Sequence, residues 1–285
     1  MEAHLTKPEW LRVRVPSGEK WRKIDEMLSR RGLRTVCNEA QCPNKGECWG
    51  MGTATFMILG DICTRHCKFC AVSTAKTGVP VSATEAAELA EAVHELALDY
   101  AVLTSVDRDD LSDRGSGHFA CCIEAIKRRN TVCKVEALIP DYFGNELISV
   151  IRSAPETIAH NVETVRSLQT AIRDSRATFD KSLRTLREVK DINAAVLTKS
   201  SILLGLGETE EEILSAMDEL RSAGTDILVL GQYLQPSGNQ IPVKEYIHPD
   251  TFARLGNIAR EKGFSSVVSA PLARTSYHAA EAYKS

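Results

Sequence analysis

Three cysteines spaced C-x3-C-x2-C (Cys63, Cys67 and Cys70, in CTRHCKFC) are the residues best suited to carry chemistry in this chain. Three thiolates on one tight loop can hold three irons of a cubane cluster, for which cysteine sulfur is the usual ligand. No fourth cysteine lies nearby, so one iron would remain open to an outside ligand. A second set, Cys37, Cys42 and Cys48, is spaced C-x4-C-x5-C and is again one thiolate short of a full cluster. The alternative is structural zinc, which takes four ligands, usually at two knuckles. His66 could complete a zinc site but would crowd so short a loop. The second spacing fits neither a zinc knuckle nor a ferredoxin run. The remaining cysteines, Cys121, Cys122 and Cys133, fall in helix and strand sequence and are expected in the core, where buried thiols are common and inert.

The alternative to metal is disulfides, and these need an oxidising compartment. The first residues, MEAHLTKP, show no apolar h-region, and no apolar run approaches the roughly 20 residues that span a bilayer. The expectation is a soluble, cytoplasmic protein with reduced cysteines. Composition agrees: 43% hydrophobic and 26% charged residues are ordinary for a globular chain. A net charge of -3 gives no sign of nucleic acid or of an anionic membrane as partner. The first 36 residues carry nine Lys/Arg against five Asp/Glu, a local excess of +4 that could mark a docking arm or a solvated extension.

The elements that must position the cysteines follow from periodicity. Residues 53–60 are a buried strand ending just before Cys63. Helical spacing marks 82–98, 117–129, 145–153, a stretch including 179–189, 208–223 and 249–262. Between them lie strands at 100–106, 132–140, 158–162, 196–205 and 226–234. Six strand–helix units of this kind imply a parallel α/β sheet with helices outside it. The pattern alone leaves a barrel, a partial barrel or a doubly wound sheet open. In all of them the working site lies at the C-terminal ends of the strands, where the Cys63 loop falls.

At this point the residues resemble a known family. C-x3-C-x2-C after the first strand of such a series resembles the radical SAM superfamily, and its pairing with CNEAQCPNKGECW resembles lipoyl synthase within it. The likeness extends through ATFMILGDICTRHCKFCAV (54–72), LTSVDRDDL (103–111), HNVET (160–164), TKSSILLGLGET (198–209), LGQYLQPS (230–237) and RTSYHA (274–279). It implies an α/β fold, a partial (β/α)6 TIM-like barrel over 53–265. Residues 1–52 would be an extension carrying the auxiliary-cluster cysteines, and 266–285 a C-terminal segment closing that cluster.

The resemblance also implies site roles. Cys63, Cys67 and Cys70 would hold the [4Fe–4S] cluster whose open iron binds S-adenosylmethionine (SAM). Cys37, Cys42, Cys48 and Ser276 would hold an auxiliary [4Fe–4S] cluster that donates sulfide. SAM contacts are expected from Thr104, Ser105, Asn161, Glu163, Gly205, Gly207 and Glu208, with Arg173 and Lys199 as candidates for its carboxylate. The charge run of Asp107, Arg108, Asp109 and Asp110 is either a solvated loop or a substrate contact. The implied reaction inserts two sulfur atoms at C6 and C8 of an octanoyl chain attached to a lysine. The implied partners are octanoylated lipoyl domains of 2-oxoacid dehydrogenase complexes, the glycine-cleavage carrier protein, an electron donor of flavodoxin or ferredoxin type, and iron–sulfur assembly proteins. A biotin synthase-like or methylthiotransferase-like enzyme would share only the first triplet, and a zinc-binding module only the cysteine count. The chain departs from the family's usual Arg-Ser-Ser-Tyr by carrying Thr275 before Ser276, and also differs at 113–117 (DRGSG) and 174–176 (DSR).

Overall fold

The computed structural model describes residues 6–12, 19–39, 44, 55–277 and 279–284. Helix α1 (Glu19–Arg31) leads to a two-residue strand β1 (Arg34–Thr35) and a single turn α2 (Val36–Glu39). Strand β2 (Thr55–Ile58) follows, then β3 (Ile62–Cys63) and β4 (Ser73–Thr74), which pair with each other in a separate small sheet. The chain then alternates through α3 (Glu85–Glu95), β5 (Tyr100–Ser105), α4 (Ser116–Arg129), β6 (Lys134–Leu138), α5 (Asn145–Arg152) and β7 (Thr157–Ala159). It continues through α6 (Gln169–Ile172), α7 (Phe179–Ile192), β8 (Leu197–Leu204), α8 (Glu210–Ser222), β9 (Ile227–Gln232), α9 (Pro249–Glu261), β10 (Ser266–Ser269) and α10 (Ala279–Lys284).

The main sheet has eight strands in the order β1-β2-β5-β6-β7-β8-β9-β10. All neighbours are parallel except β1, which runs antiparallel to β2. This is a partial TIM-like barrel. The six strand–helix pairs expected from periodicity are present, with ends shifted by a few residues. The sheet goes further than that expectation: a seventh parallel strand, β10, extends it from within the segment expected to be only a C-terminal closure. The Ser-Val-Val-Ser of β10 and the two residues of β1 are too short to show a period of two.

Alternation along the strands separates an outer face from an inner one. Leu103, Val135, Ala137 and Ile158 pack outward in one cluster with Leu89, Val93, Phe119 and Ile123 of the helices. Ile202, Leu204, Leu228 and Leu230 do the same with Leu186, Met217, Leu220 and Phe252. The alternate positions, among them Tyr100, Glu136, Thr157, Lys199, Ser201 and Gly231, therefore face the inside of the barrel. Helix starts are locally specified. Thr209 and Glu212 form a reciprocal capping box on α8, and Thr178 caps α7 by accepting from Lys181 N. Among the described residues no helix is long and apolar enough to cross a membrane.

Candidate functional site

The Cys63 loop sits at the C-terminal end of the sheet and is tied down from every side. Pairing of β3 with β4 joins its two ends, and Ala75 N donates to Cys63 O (3.0 Å). Thr64 N donates to Asp107 O (2.9 Å), Lys68 N to Ile172 O (2.8 Å) and Ile241 N to Lys68 O (3.1 Å). Two thiols already accept main-chain amides, Cys63 from Arg65 N (3.4 Å) and Cys67 from Asp174 N (3.3 Å). The divergent 174–176 turn therefore has a local task. Asp174 also accepts from His66 N (2.8 Å), and Arg176 reaches Thr64 O and Asp109.

Arg65 points inward and is 5% exposed. It binds Asp109 twice (3.0 Å each), lies 3.4 Å from Asp107 and pairs with Asp141. Burial opposes its charge, and the three carboxylates outweigh burial, so its pKa rises. Asp141 is held well below the usual carboxylate range: burial works against ionisation, and His160 and Arg65 overcome it. The Asp107–Asp110 run is thus a brace for the cysteine loop. Arg65→Ala removes the guanidinium that these buried acids share and is expected to destabilise the chain by about 3–5 kcal/mol. A fall in the denaturation midpoint of cluster-free protein checks this; an unchanged midpoint would refute it.

The three thiols are poised for a cation. Burial, with help from Asp107, pushes Cys63 up to about 12. Burial pushes Cys67 up to about 11, against its hydrogen bond from Asp174 and the charge of Arg173, and it raises Cys70 as well. Such thiols stay protonated near neutrality until a metal supplies the positive charge that makes them thiolates.

The candidate cofactor residues divide. Thr104 and Ser105 end β5, while Asn161 and Glu163 follow β7 on the same rim. Ser105 Oγ, Asn161 Oδ1 and Arg173 Nε are buried without a protein partner. Glu163 has a backbone φ of +64°, a left-handed conformation costly for a side chain-bearing residue, held by Glu163 N to Ser201 O (3.1 Å) and Leu203 N to Glu163 O (2.8 Å). Burial raises its carboxyl pKa, with Arg173 and Asn161 opposing. Beside this rim lies an apolar wall of Phe69, Ile172, Leu203, Leu206, Tyr233 and Ile241.

Three expectations need correction. Lys199 is fully buried inside the barrel, with its Nζ 3.0 Å from both oxygens of Glu136, and Tyr100 donates to the same carboxylate (2.9 Å). Its ammonium is committed there and does not reach the rim. The space over Gly205 belongs to the protein: a Cβ at this φ of +90° would fall 2.2 Å from Gln232 Nε2 and 2.3 Å from Glu245 O. Glu208 closes the same turn by accepting from Gly205 N (2.5 Å) and Leu206 N (2.9 Å), while Gly207 faces only Lys244. Cys121 is exposed, whereas Cys122 and Cys133 are buried as expected.

The second cysteine set is described at Cys37 alone. β1 runs antiparallel to β2, and its Arg34 bridges Asp61, just before the Cys63 loop (3.0 Å), and Glu39 of α2 (3.6 Å). Cys37 is buried; Cys42 and Cys48 lie outside the described residues. Between them Asn44 is described, and its Nδ2 donates to Leu272 O (2.5 Å). This bond fixes Asn44 to the C-terminal strap. The strap turns in at Pro271, whose carbonyl accepts from Gln232 N (3.1 Å). It presses Ala273 O onto Gly231, then bonds through Thr275 to Ser201 and Asn161. Ser276 sits in a turn closed by Tyr277 N to Arg274 O (2.9 Å). Helix α10 finishes the path against Tyr100 and Val102. Gly231 and Ser201 escaped sequence reading; a glycine inside a buried strand was the one available signal.

Comparison with known proteins fits this arrangement. The radical SAM superfamily model matches residues 57–220, and the model of the N-terminal domain of lipoyl synthase matches residues 1–42. A lipoyl synthase of Methanocella arvoryzae is 47% identical over 281 residues, covering 98% of this chain and 95% of its own. The chain belongs to the lipoyl synthase family. Relatives from Ectopseudomonas mendocina (48% identity, 96% of this chain, 79% of theirs) and Pisum sativum, where the protein is mitochondrial (46%, 98% and 76%), agree. Solved structures share the fold alone. A methylornithine synthase matches with TM-score 0.57 at 13% identity over 87% of this chain and 81% of its own. An FeFe-hydrogenase maturase from Carboxydothermus hydrogenoformans matches with TM-score 0.57 at 14% over 81% and 65%.

As a lipoyl synthase, the chain is a radical SAM sulfur-inserting enzyme, and its superfamily uses a [4Fe–4S] cluster with SAM. The residues fit those groups. The rim combines three neutral thiols on one loop with buried oxygen and nitrogen atoms that have no protein partner. Another donor set in this lipoyl synthase, Glu85, His118 and Cys122, lies among the helices outside the sheet. Glu85 Oε2 is already engaged by His118 Nε2 (2.6 Å) and Leu59 N (3.0 Å), a closed hydrogen-bond set.

Proposed function

We propose that this enzyme builds the lipoyl group in place, inserting sulfur at C6 and C8 of an octanoyl chain amide-linked to a lysine of a lipoyl carrier domain. In this reading Cys63, Cys67 and Cys70 hold the SAM-binding [4Fe–4S] cluster. Cys37, Cys42, Cys48 and Ser276 hold an auxiliary [4Fe–4S] cluster. When bound, the first cluster supplies the electron that releases a 5′-deoxyadenosyl radical from SAM, and the second supplies sulfide. The observation that carries the assignment is the bond from Asn44 to Leu272 O. It ties Asn44, which lies between Cys42 and Cys48 in sequence, to the strap that carries Ser276.

The chain's own residues do the remaining work. Thr104, Ser105, Asn161, Glu163 and Arg173 line the rim and offer SAM a mixed set of donors and acceptors. Ser105 Oγ, Asn161 Oδ1 and Arg173 Nε support this, because a polar ligand would satisfy them. Gly207 is retained as a neighbour of the site with no assigned contact. The apolar wall of Phe69, Leu203 and Tyr233 suits an alkyl chain and excludes the water that would quench radical chemistry. A serine oxygen is a harder and weaker partner for iron than thiolate, which suits an iron that must leave as the cluster gives up sulfide.

The partners in this reading are octanoylated lipoyl domains of 2-oxoacid dehydrogenase complexes and the glycine-cleavage carrier protein. A flavodoxin or ferredoxin type electron donor and iron–sulfur assembly proteins complete the cycle, in the cytoplasm. Mass spectrometry tests the function after anaerobic incubation with an octanoylated lipoyl-domain peptide, SAM and reductant. The expected peptide gains two sulfur atoms with no net change in hydrogen, as the 6,8-dithiol that the reductant maintains. SAM cleavage with no sulfur in the peptide would refute the reading.

A further inference from the structure

We infer that the Thr275 hydroxyl, clamped between Asn161 and Ser201, couples the seating of the Ser276 strap to occupancy of the SAM pocket. This rests on the proposed reading that Asn161 faces SAM and Ser276 closes the auxiliary cluster. Thr275 Oγ1 accepts from Asn161 Nδ2 (3.0 Å) and donates to Ser201 Oγ (3.1 Å). A hydroxyl has one proton and two lone pairs, so a single group serves both bonds at once. On the other side of the same amide, Asn161 Oδ1 is buried and has no protein partner.

The carboxamide of Asn161 is planar and turns as one body. A ligand that donates to Oδ1 fixes the plane that Nδ2 shares, and so fixes the bond to Thr275. Conversely, a seated strap presents Oδ1 already oriented. Ser276 is the next residue after Thr275, in the turn closed by Tyr277 N and Arg274 O, so its oxygen follows Thr275. Coupling of binding free energies is reciprocal: SAM seats the strap, and the strap tightens SAM. The size is that of one net hydrogen bond, which corresponds to about a two- to tenfold change in affinity. Thr275 is therefore a positioning residue acting through Asn161. It lets the auxiliary cluster be closed by its serine when the radical source is loaded, and relaxes that closure when the source leaves.

The test uses anaerobic, cluster-loaded enzyme with Thr275→Val, which keeps the shape and removes the hydroxyl, and Thr275→Ser, which keeps the hydroxyl. Two readouts are taken: SAM affinity by equilibrium dialysis, and amide hydrogen exchange of residues 272–277 with and without SAM. In wild type and Thr275→Ser, SAM is expected to slow exchange of the strap. In Thr275→Val that protection is lost and SAM binds about two- to tenfold more weakly. Equal SAM-dependent protection in Thr275→Val and wild type overturns the coupling, as does Thr275→Ser behaving like Thr275→Val. Asn161→Ala distinguishes failure of the underlying reading: wild-type SAM affinity in that variant removes Asn161 from the pocket and the coupling with it.

Discussion

Cys63→Ala is expected to reduce SAM cleavage to background, whereas Cys37→Ala should cleave SAM normally and form no carbon–sulfur bond. The two cysteines belong to separate structures. Cys63 lies on the short β3–β4 ladder at the C-terminal end of the sheet, joined by Cys67 and Cys70 on a loop that Asp107, Ile172 and Ile241 hold by main-chain bonds. Asp107 Oδ2 is 3.9 Å from Cys63 Sγ, but its carboxylate is held in the brace through Oδ1, 3.4 Å from Arg65, and does not replace the thiolate. Two thiolates cannot replace three in holding the cubane. Cys37 lies on α2, and its removal leaves every tie described on the Cys63 loop intact. Chromatography of 5′-deoxyadenosine and mass spectrometry of the carrier peptide read the two effects separately. Lipoyl product from Cys37→Ala would dismiss the sacrificial-cluster assignment.

A single methyl group should have nearly as large an effect. In Gly231→Ala the new Cβ would lie 2.1 Å from Ala273 O and 3.1 Å from Ala273 C, both main-chain atoms. No rotamer change relieves such a contact, so the strap must leave the inner wall. Thr275 is then drawn from Ser201 and Asn161, and Ser276 from its turn position. The expected outcome is near-complete loss of lipoyl product with SAM cleavage retained, and about half of the eight irons of two cubanes lost on desalting. The sheet itself should persist, because β9 keeps its ladders to β8 and β10. Full product formation by Gly231→Ala would show that the strap need not lie on β9.

Much of the architecture was legible because it rests on local patterns. Strands such as Tyr100–Ser105 and Leu197–Leu204 carry apolar runs, and helices such as Phe179–Ile192 carry an apolar stripe with a cap at Thr178. The cysteine triplets were legible for the same reason: ligands on one short loop need only the right spacing. β10 and β1 were not, since two to four residues are too few to show a period and their strand geometry comes from the neighbour they pair with. Lys199 illustrates the harder failure. The family likeness made it a candidate for the SAM carboxylate, but Glu136 lies 63 residues away and neutralises it inside the barrel.

What the sequence determined by itself is therefore the chemistry on offer: two cysteine sets each one ligand short, a parallel α/β frame, and a family likeness dense enough to name a reaction. The tertiary structure alone decided which polar atoms are already engaged and which remain to meet a ligand. It committed Lys199 to Glu136, Glu208 to the 205–208 turn and Asp174 to the Cys67 loop. It left Ser105 Oγ, Asn161 Oδ1 and Arg173 Nε on the rim, and brought Thr275 and Asn44 into contact with residues far off in the chain. The physical reason is that donor type and loop spacing are covalent properties of neighbouring residues. Hydrogen-bond and charge pairing depend on which distant segments the partial barrel brings together.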